Sequence, residues 1–328
     1  MQKILLLFLL GLVSIFPGCR PVSDNSSPES GSLVSDVDDI KFEETETPSN
    51  RYLWKPIIDY AHITSTTNHP ENEEVVELLR SKGCSLSSPQ TIHHSLGYPS
   101  SLETGNLSDE DFQLIAKLPN LVKIQISKQP FRPLNLTADA FRHIRHHPEL
   151  RYILLSGVVA EKHFDDELFV YLADIPKLQQ LSIRLLHLRG DSLKKLGELR
   201  GLKSLTLDGT YFENHDWAAM GQLSNLEELN LLTCYLEDEQ IQFLPELKKL
   251  RRLDLYGNRR LTQQSMSILQ KIPHLEALTL THTGLSVSLD DIAAFPELRS
   301  LSLLDVQPEF TRSELKSRFP NLDYWEDD

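Results

Sequence analysis

The chain has 328 residues, with 33 Lys and Arg against 47 Asp and Glu, a formal net charge of −14 and a mean hydropathy of −0.28. That balance argues against a nucleic-acid binder, which carries a basic patch or stripe, and against a protein that crosses a membrane many times. Three cysteines, Cys19, Cys84 and Cys234, are too few for a disulfide framework.

Lys3 is followed by an apolar run from Ile4 to Phe16, closed by Pro17-Gly18-Cys19. The thirteen residues of that run are short for a bilayer crossing but suit the apolar stretch of an export signal, so residues 1–18 are expected to be a signal peptide. The Gly18-Cys19 end resembles a bacterial lipobox, which implies cleavage before Cys19 and lipid on its thiol. Phe16 and Pro17 depart from the usual residues there, so a plain secretory signal or an uncleaved anchor stays open. Arg20 follows the cysteine where an Asp would imply inner-membrane retention, so the resemblance implies the outer membrane in a cell that has one. Residues 19–50 hold seven serines and eight acids against Arg20 and Lys41. So little apolar surface cannot offset the entropy of ordering, and a flexible acidic tether is expected.

Apolar content rises from Arg51, with Tyr52, Trp54, Ile57, Ile58 and Tyr60. The spacing of Val75, Val76, Leu78 and Leu79 predicts a helix over Asn72 to Ser81, and a strand is expected near Thr91 to Leu96. Residues 51–105 are therefore expected to be an N-terminal cap, closing the open end of the core that follows. A small separate domain is the alternative.

From residue 121 one frame recurs nine times: an apolar residue, two variable ones, an apolar residue, one variable, and a third apolar residue. The copies begin at Leu121, Leu150, Leu178, Leu202, Leu226, Leu250, Leu275, Leu298 and Leu322, at spacings of 29, 28, 24, 24, 24, 25, 23 and 24 residues. A fixed period in this range means stacked units of one supersecondary type. Alternation inside each copy is the period of a strand with one buried face. Upstream segments carry helical spacing, as in Phe112, Ile115 and Ala116 or in Ile241, Leu244 and Leu247. Pro119, Pro148, Pro176, Pro273, Pro296 and Pro320 each stand two residues before a copy, where proline stops the helix. Ser108 with Asp111, and Thr311 with Glu314, have the spacing of capping boxes that start helices.

With these residues the chain resembles a leucine-rich repeat protein, in the frame LxxLxLxxN/CxL. Leu226 to Leu236 fits it with Cys234 in the Asn/Cys place; Leu250 to Leu261 fits with Asn258 and one extra residue; Thr210 and Thr283 stand there in two further copies. The resemblance covers residues 106–328 and implies an α/β solenoid with a parallel concave sheet and convex helices. It also implies that the Asn/Cys side chain hydrogen-bonds the backbone at the turn. Gln129, Val158, Leu186 and Val306 occupy that place elsewhere, so a regular ladder is not expected at the ends. The "LPNL"-type joins resemble repeat proteins of bacterial envelopes.

Recognised catalytic patterns are missing from the sequence: no Walker loop, no HExxH, no CxxC, no GxSxG. His143, His146 and His147 have the spacing of one helical face and are the best metal candidate, but Arg142 and Arg145 beside them favour a plain solvated face. His93-His94 is a weaker one. Acid pairs at Asp165-Asp166, Asp238-Glu239 and Asp290-Asp291 open convex helices, where they complement the positive helix end. No metal and no cofactor is expected.

The remaining surface is the concave one. Third and fifth frame positions point away from the core, and the seventh adds Arg184, Asp208, Leu232, Tyr256, Thr281 and Leu304. Asp208, Glu228, Asn230, Arg252, Asp254 and Tyr256 converge there over adjacent copies, with Arg252 and Tyr256 of the types favoured at interaction hot spots. The expected function is therefore a non-enzymatic module at the cell envelope. It is held by lipid alone and takes a protein or peptide, not nucleic acid, on this face. A self-assembling envelope spacer is the alternative, and an enzyme hidden in residues 51–105 a remote third. Bulged loops are expected at residues 131–136 and 158–164, as a binding edge or as slack.

Overall fold

The computed structural model describes residues 73–81, 84–87, 91–95, 107–118, 121–127, 136–156, 164–212 and 216–325, all within the compact unit Pro56–Asp328. The expected signal peptide, Cys19, the tether and most of the two expected loops lie outside the described residues.

Eight frames become strands: Lys123–Ser127, Tyr152–Ser156, Gln180–Arg184, Ser204–Asp208, Glu228–Leu232, Arg252–Asp254, Ala277–Thr279 and Ser300–Ser302. They pair parallel in chain order and without slip. Lys123, Tyr152, Gln180, Ser204, Glu228, Arg252, Ala277 and Ser300 are successive register partners at the third position. Parallel neighbours need a crossover of a dozen residues or more, which each unit supplies. The fourth and sixth positions of these eight frames, from Ile124 and Ile126 to Leu301 and Leu303, are all buried. Each contributes roughly 1.5–3 kcal/mol on burial, shared between neighbouring rungs.

The ninth copy is displaced by one residue from the expected frame. Strand Asp323–Trp325 pairs Asp323 with Ser300 and Tyr324 with Leu301, so the copy begins at Asn321 rather than Leu322. A one-residue slip exchanges the two faces of a strand. Here Tyr324 takes the inward place, packing on the core with its ring 6.5 Å from Phe310, while Leu322 stays half-buried beside it. Leu322 and Tyr324, two residues apart, both pack against the core, and Tyr324 takes the inward place that the expected frame gave to Trp325.

At the other edge the sheet runs on. Thr91–Ser95 pairs parallel with Lys123–Ser127, and Cys84–Ser87 pairs antiparallel with Thr91–Ser95, after helix Glu73–Ser81. The strand order among the described residues is thus an eleven-stranded sheet whose last nine strands follow the frame.

The convex side mixes α and 3-10 turns, and the spacing decides which. Phe112 and Ile115 lie on an α-turn, Phe112–Ile115. Ile241, Leu244 and Leu247 recur every three residues, the 3-10 period, and form the 3-10 segments Asp238–Ile241 and Leu244–Glu246. Longer α-helices occupy Glu167–Ala173, Gln263–Leu269 and Arg312–Arg318. The expected capping boxes are present: the Ser108 amide donates to the Asp111 carboxylate at 2.8 Å, and the Thr311 amide to Glu314 at 2.8 Å. Buried rings line the convex half of the core, with Phe112, Phe141 and Phe164 at 5.1 and 6.1 Å and Trp217 stacked on Phe243 at 6.3 Å.

Candidate functional site on the concave face

Two devices hold the concave face in register where its strands end. The first is a ladder at the Asn/Cys place. Asn258, fully buried, donates through Nδ2 to the Leu231 carbonyl of the preceding repeat (2.6 Å) and to its own Leu255 carbonyl (2.8 Å). Its Oδ1 accepts from the amides of Cys234 (3.1 Å) and Leu236 (3.2 Å). Thr210 Oγ1 donates to the Ile183 carbonyl at 3.1 Å, and Cys234 Sγ to the Leu207 carbonyl at 3.4 Å, in the same sense. Thr283 turns instead to Leu280 of its own repeat at 2.6 Å. Leu186 and Val306 are simply buried, so the ladder stops there as the sequence implies. Although Cys234 as a whole is half-exposed, its thiol is enclosed, and burial pushes its pKa up to about 12, so it is a structural group rather than a nucleophile.

The second device was not legible in the sequence. Residues at the eighth frame position, Leu185, Gly209, Thr233, Gly257, His282 and Asp305, all have positive φ, between 49° and 77°. Their amides continue the sheet: Leu185, Gly209, Thr233, Gly257 and His282 donate to the carbonyls of Asp208, Leu232, Tyr256, Thr281 and Leu304 one repeat on. Glycine is the only sequence signal for such a turn, and it stands at only two of the six rungs. At Gly257 a Cβ would lie 2.5 Å from Thr233 Cγ2, so the side chain of each bulky rung overhangs the next.

The six expected site residues lie on three adjacent rungs. Glu228 pairs in register with Arg252, and Asn230 with Asp254. Asp208 and Tyr256 flank them at the seventh position, with buried Leu232 between. Asn230 Nδ2 donates to Glu228 Oε1 (3.0 Å) and to Thr206 Oγ1 (3.1 Å); Arg252 approaches Glu228 at 3.8 Å. Thr233 Oγ1 donates to Asp208 at 3.2 Å, and Tyr256 meets the His282 ring edge-on at 5.2 Å.

The charges are far more enclosed than the sequence implies. Asp254 is buried, accepts from the Tyr256 amide at 2.9 Å, and has no cation paired with it among the described residues. Burial pushes its pKa up to about 7, with repulsion from Asp208 and Glu228 adding to the rise and the Tyr256 amide opposing it. Asp208 is raised as well by burial, partly offset by Arg184 and Thr233. On earlier rungs Tyr152 carries the Lys123 ammonium 4.6 Å above its ring, and burial pushes its phenol up to about 12. Ser182 and Ser204, also on this face, are buried with hydroxyls that find no partner among the described residues.

The histidine trio does not share a face. A 3-10 segment ends at His143; His146 is exposed, while His147 is buried, its Nε2 2.8 Å from the Leu118 carbonyl and its pKa lowered by burial. The α-helical spacing assumed for these positions is not adopted. Strand Thr91–Ser95 carries His93 and His94 in register with Gln125 and Ile126. Among the described residues no group of three or more His, Cys, Asp or Glu could hold a metal ion. The acid pairs serve helix starts: Asp166 is an N-cap, Asp238 accepts from Thr262 and Ser265 of the next repeat, and Asp291 accepts from the Ser288 amide at 2.9 Å.

Parallel sheet, convex helical turns, and the buried asparagine at the strand end together define an α/β leucine-rich-repeat solenoid. No protein-family model and no curated protein matches the chain. Among solved structures it is similar to an internalin, inlF, of Listeria monocytogenes, at 16% identity and a TM-score of 0.44 over 69% of this chain and 72% of that one. A second Listeria internalin, inlC2, gives 16% and 0.39 over 72% and 80%. A leucine-rich repeat protein of Leptospira interrogans gives 22% and 0.47 over 70% of this chain and 55% of its own, so the chain spans little more than half of that protein. The fold assignment rests on this chain's own register and turn ladder.

Proposed function

We propose that this protein is a non-enzymatic interaction module, displayed at the cell envelope, that holds a protein or peptide on its concave face. The observation that carries the reading is the cluster Asp208, Glu228, Asn230, Arg252, Asp254 and Tyr256 on three in-register rungs, with buried charge on a face that carries no core of its own. Buried charge is costly to keep and has a use where a partner's groups complete it. Helix Glu73–Ser81 with the hairpin of Cys84–Ser87 and Thr91–Ser95 acts as the expected N-terminal cap, since its strands continue the sheet at that edge.

Display follows from the sequence of residues 1–50: export by the signal, lipid at Cys19, and the acidic tether as spacer. Among the described residues no helix is long and apolar enough to cross a membrane. The anchor in this reading is the lipid at Cys19. Cys19→Ser should move the protein from the detergent phase to the aqueous phase; unchanged partition would remove the anchor from the reading. The concave site is tested by capturing partners from envelope extract with the full chain and with the Arg252→Glu, Tyr256→Ala double variant. Loss of a partner in the variant supports the site, and a partner bound equally by both excludes it.

A further inference from the structure

Of the three acids in the cluster on the concave face, two already have a cation. Arg184 acts on Asp208 electrostatically, and Arg252 stands 3.8 Å from Glu228. Asp254, on the next rung, has only the Tyr256 amide. A second observation lies on the same face. Ser204, register partner of Glu228, is 2% exposed, and its hydroxyl has no hydrogen-bond partner among the described residues. A buried hydroxyl left unpaired is uncommon and calls for a cause.

We propose that Asp254 and Glu228 receive the ammonium or guanidinium head of a Lys or Arg side chain, carried by an extended peptide segment laid across the concave sheet. The inference deepens the function proposed above and rests on it. A partner reaching Asp254 must pass between side chains of the third and seventh positions, so its charge has to sit at the end of a long, slender stem. Lys and Arg meet that requirement, burying their methylenes while delivering the charged end. Half-buried Tyr256, seated against His282, offers its ring to the stem and the cation. Donors on the incoming head can meet the Asp254 and Glu228 carboxylates, which lie close enough to repel each other and are both acceptors. A bare metal ion is the weaker occupant, because no three ligand-type side chains converge among the described residues.

The test is fluorescence anisotropy with a short labelled Gly/Ser peptide carrying Lys at alternate positions, beside its Arg and norleucine versions, titrated with the full chain. The Lys and Arg peptides should bind and the norleucine peptide should not. Asp254→Asn and Glu228→Gln should each weaken binding about tenfold, the size of one charge-assisted contact. Glu239→Gln, an exposed acid on the convex side, should change nothing. Circular dichroism of each variant shows whether it is folded, and Asp254→Asn keeps an acceptor for the Tyr256 amide. The inference fails if neither the Lys nor the Arg peptide binds, if the norleucine peptide binds as well, or if Glu239→Gln weakens binding as much as Asp254→Asn, which would mark diffuse attraction by a chain of net charge −14. A partner lost in the Arg252/Tyr256 double variant, together with no Lys-peptide binding, overturns this inference alone. A partner kept by the double variant overturns the concave-site reading beneath it.

Discussion

Asp254→Asn should make the protein more stable, and increasingly so as the pH rises. In the folded chain the Asp254 pKa is pushed up to about 7 from an ordinary 3.8, chiefly by burial. Its folded pKa is above its unfolded one, so between the two the native state binds more protons than the unfolded state, and stability falls as pH rises. The full difference of about three pH units corresponds to roughly 4 kcal/mol of destabilisation once the carboxylate is ionised in both states. By pH 5 the unfolded group is already mostly ionised, and somewhat less than half of that loss has accrued; by pH 8 nearly all has. Asparagine has a similar shape, keeps the acceptor for the Tyr256 amide and carries no charge. The stability gap between variant and wild type should therefore widen by roughly 2–3 kcal/mol from pH 5 to pH 8. Asp208 and Glu228 repel Asp254, so part of the gap is mutual repulsion that the substitution also relieves. Urea unfolding of both proteins at the two pH values measures the gap. A gap that is constant with pH, or that narrows, refutes the claim that Asp254 is held as a buried acid without a counter-charge.

Asn258→Ala should cost about 3–5 kcal/mol in urea unfolding, because the Cys234 and Leu236 amides and the Leu231 carbonyl lose a buried partner together. Thr283→Val, which gives up one bond within its own repeat, should cost about 1 kcal/mol; equal losses would mean that the bridge between repeats is unimportant. Gly257→Ala should lose about 1–3 kcal/mol through its φ of 77° and the contact with Thr233 Cγ2. Adding Thr233→Ser removes that methyl and should recover part of the loss, whereas strictly additive effects would show that the two rungs do not touch.

Much of the fold was legible because a strict period leaves little freedom. Once Leu202, Leu226 and Leu250 recur at 24 residues, the inward places are set and the outward ones follow by alternation. The same logic put Glu228 beside Arg252 and Asn230 beside Asp254. It failed where a rung departs from its neighbours. The ninth copy was misplaced by one residue because Tyr324 and Trp325 are adjacent aromatics, and a pattern of apolar residues does not say which of them takes the inward place beside Leu301. His147 went inward because a 3-10 turn, ending at His143, does not place residues four apart on one face. The eighth-position turn was hidden because Leu185, Thr233, His282 and Asp305 adopt a conformation that sequence reading reserves for glycine. Electrostatics was the least legible part: the pKa of Asp254 depends on side chains from two other repeats, and no local pattern contains them.

Strained and unsatisfied groups run along much of the sheet: the Ser182 and Ser204 hydroxyls lack a partner among the described residues, and Leu185, Thr233, Tyr235, His282 and Asp305 are left-handed. The buried acid without a counter-charge, Asp254, falls between residues 202 and 261. That is also the most regular stretch of the chain, where Leu205, Leu207, Leu229, Leu231, Leu253 and Leu255 are fully buried and Asn258 ties one repeat to the one before it. In a solenoid, stability is carried by each rung and its immediate neighbours, so a local deficit must be met locally. A stretch built only for stability would have neutral, satisfied groups on its concave face, as the Ala277 and Thr279 rung has. A buried acid without a counter-charge that persists inside the best-packed region marks a place where something other than stability sets the sequence. In the reading proposed here that is the partner's charged side chain, whose arrival would lower the cost of Asp254.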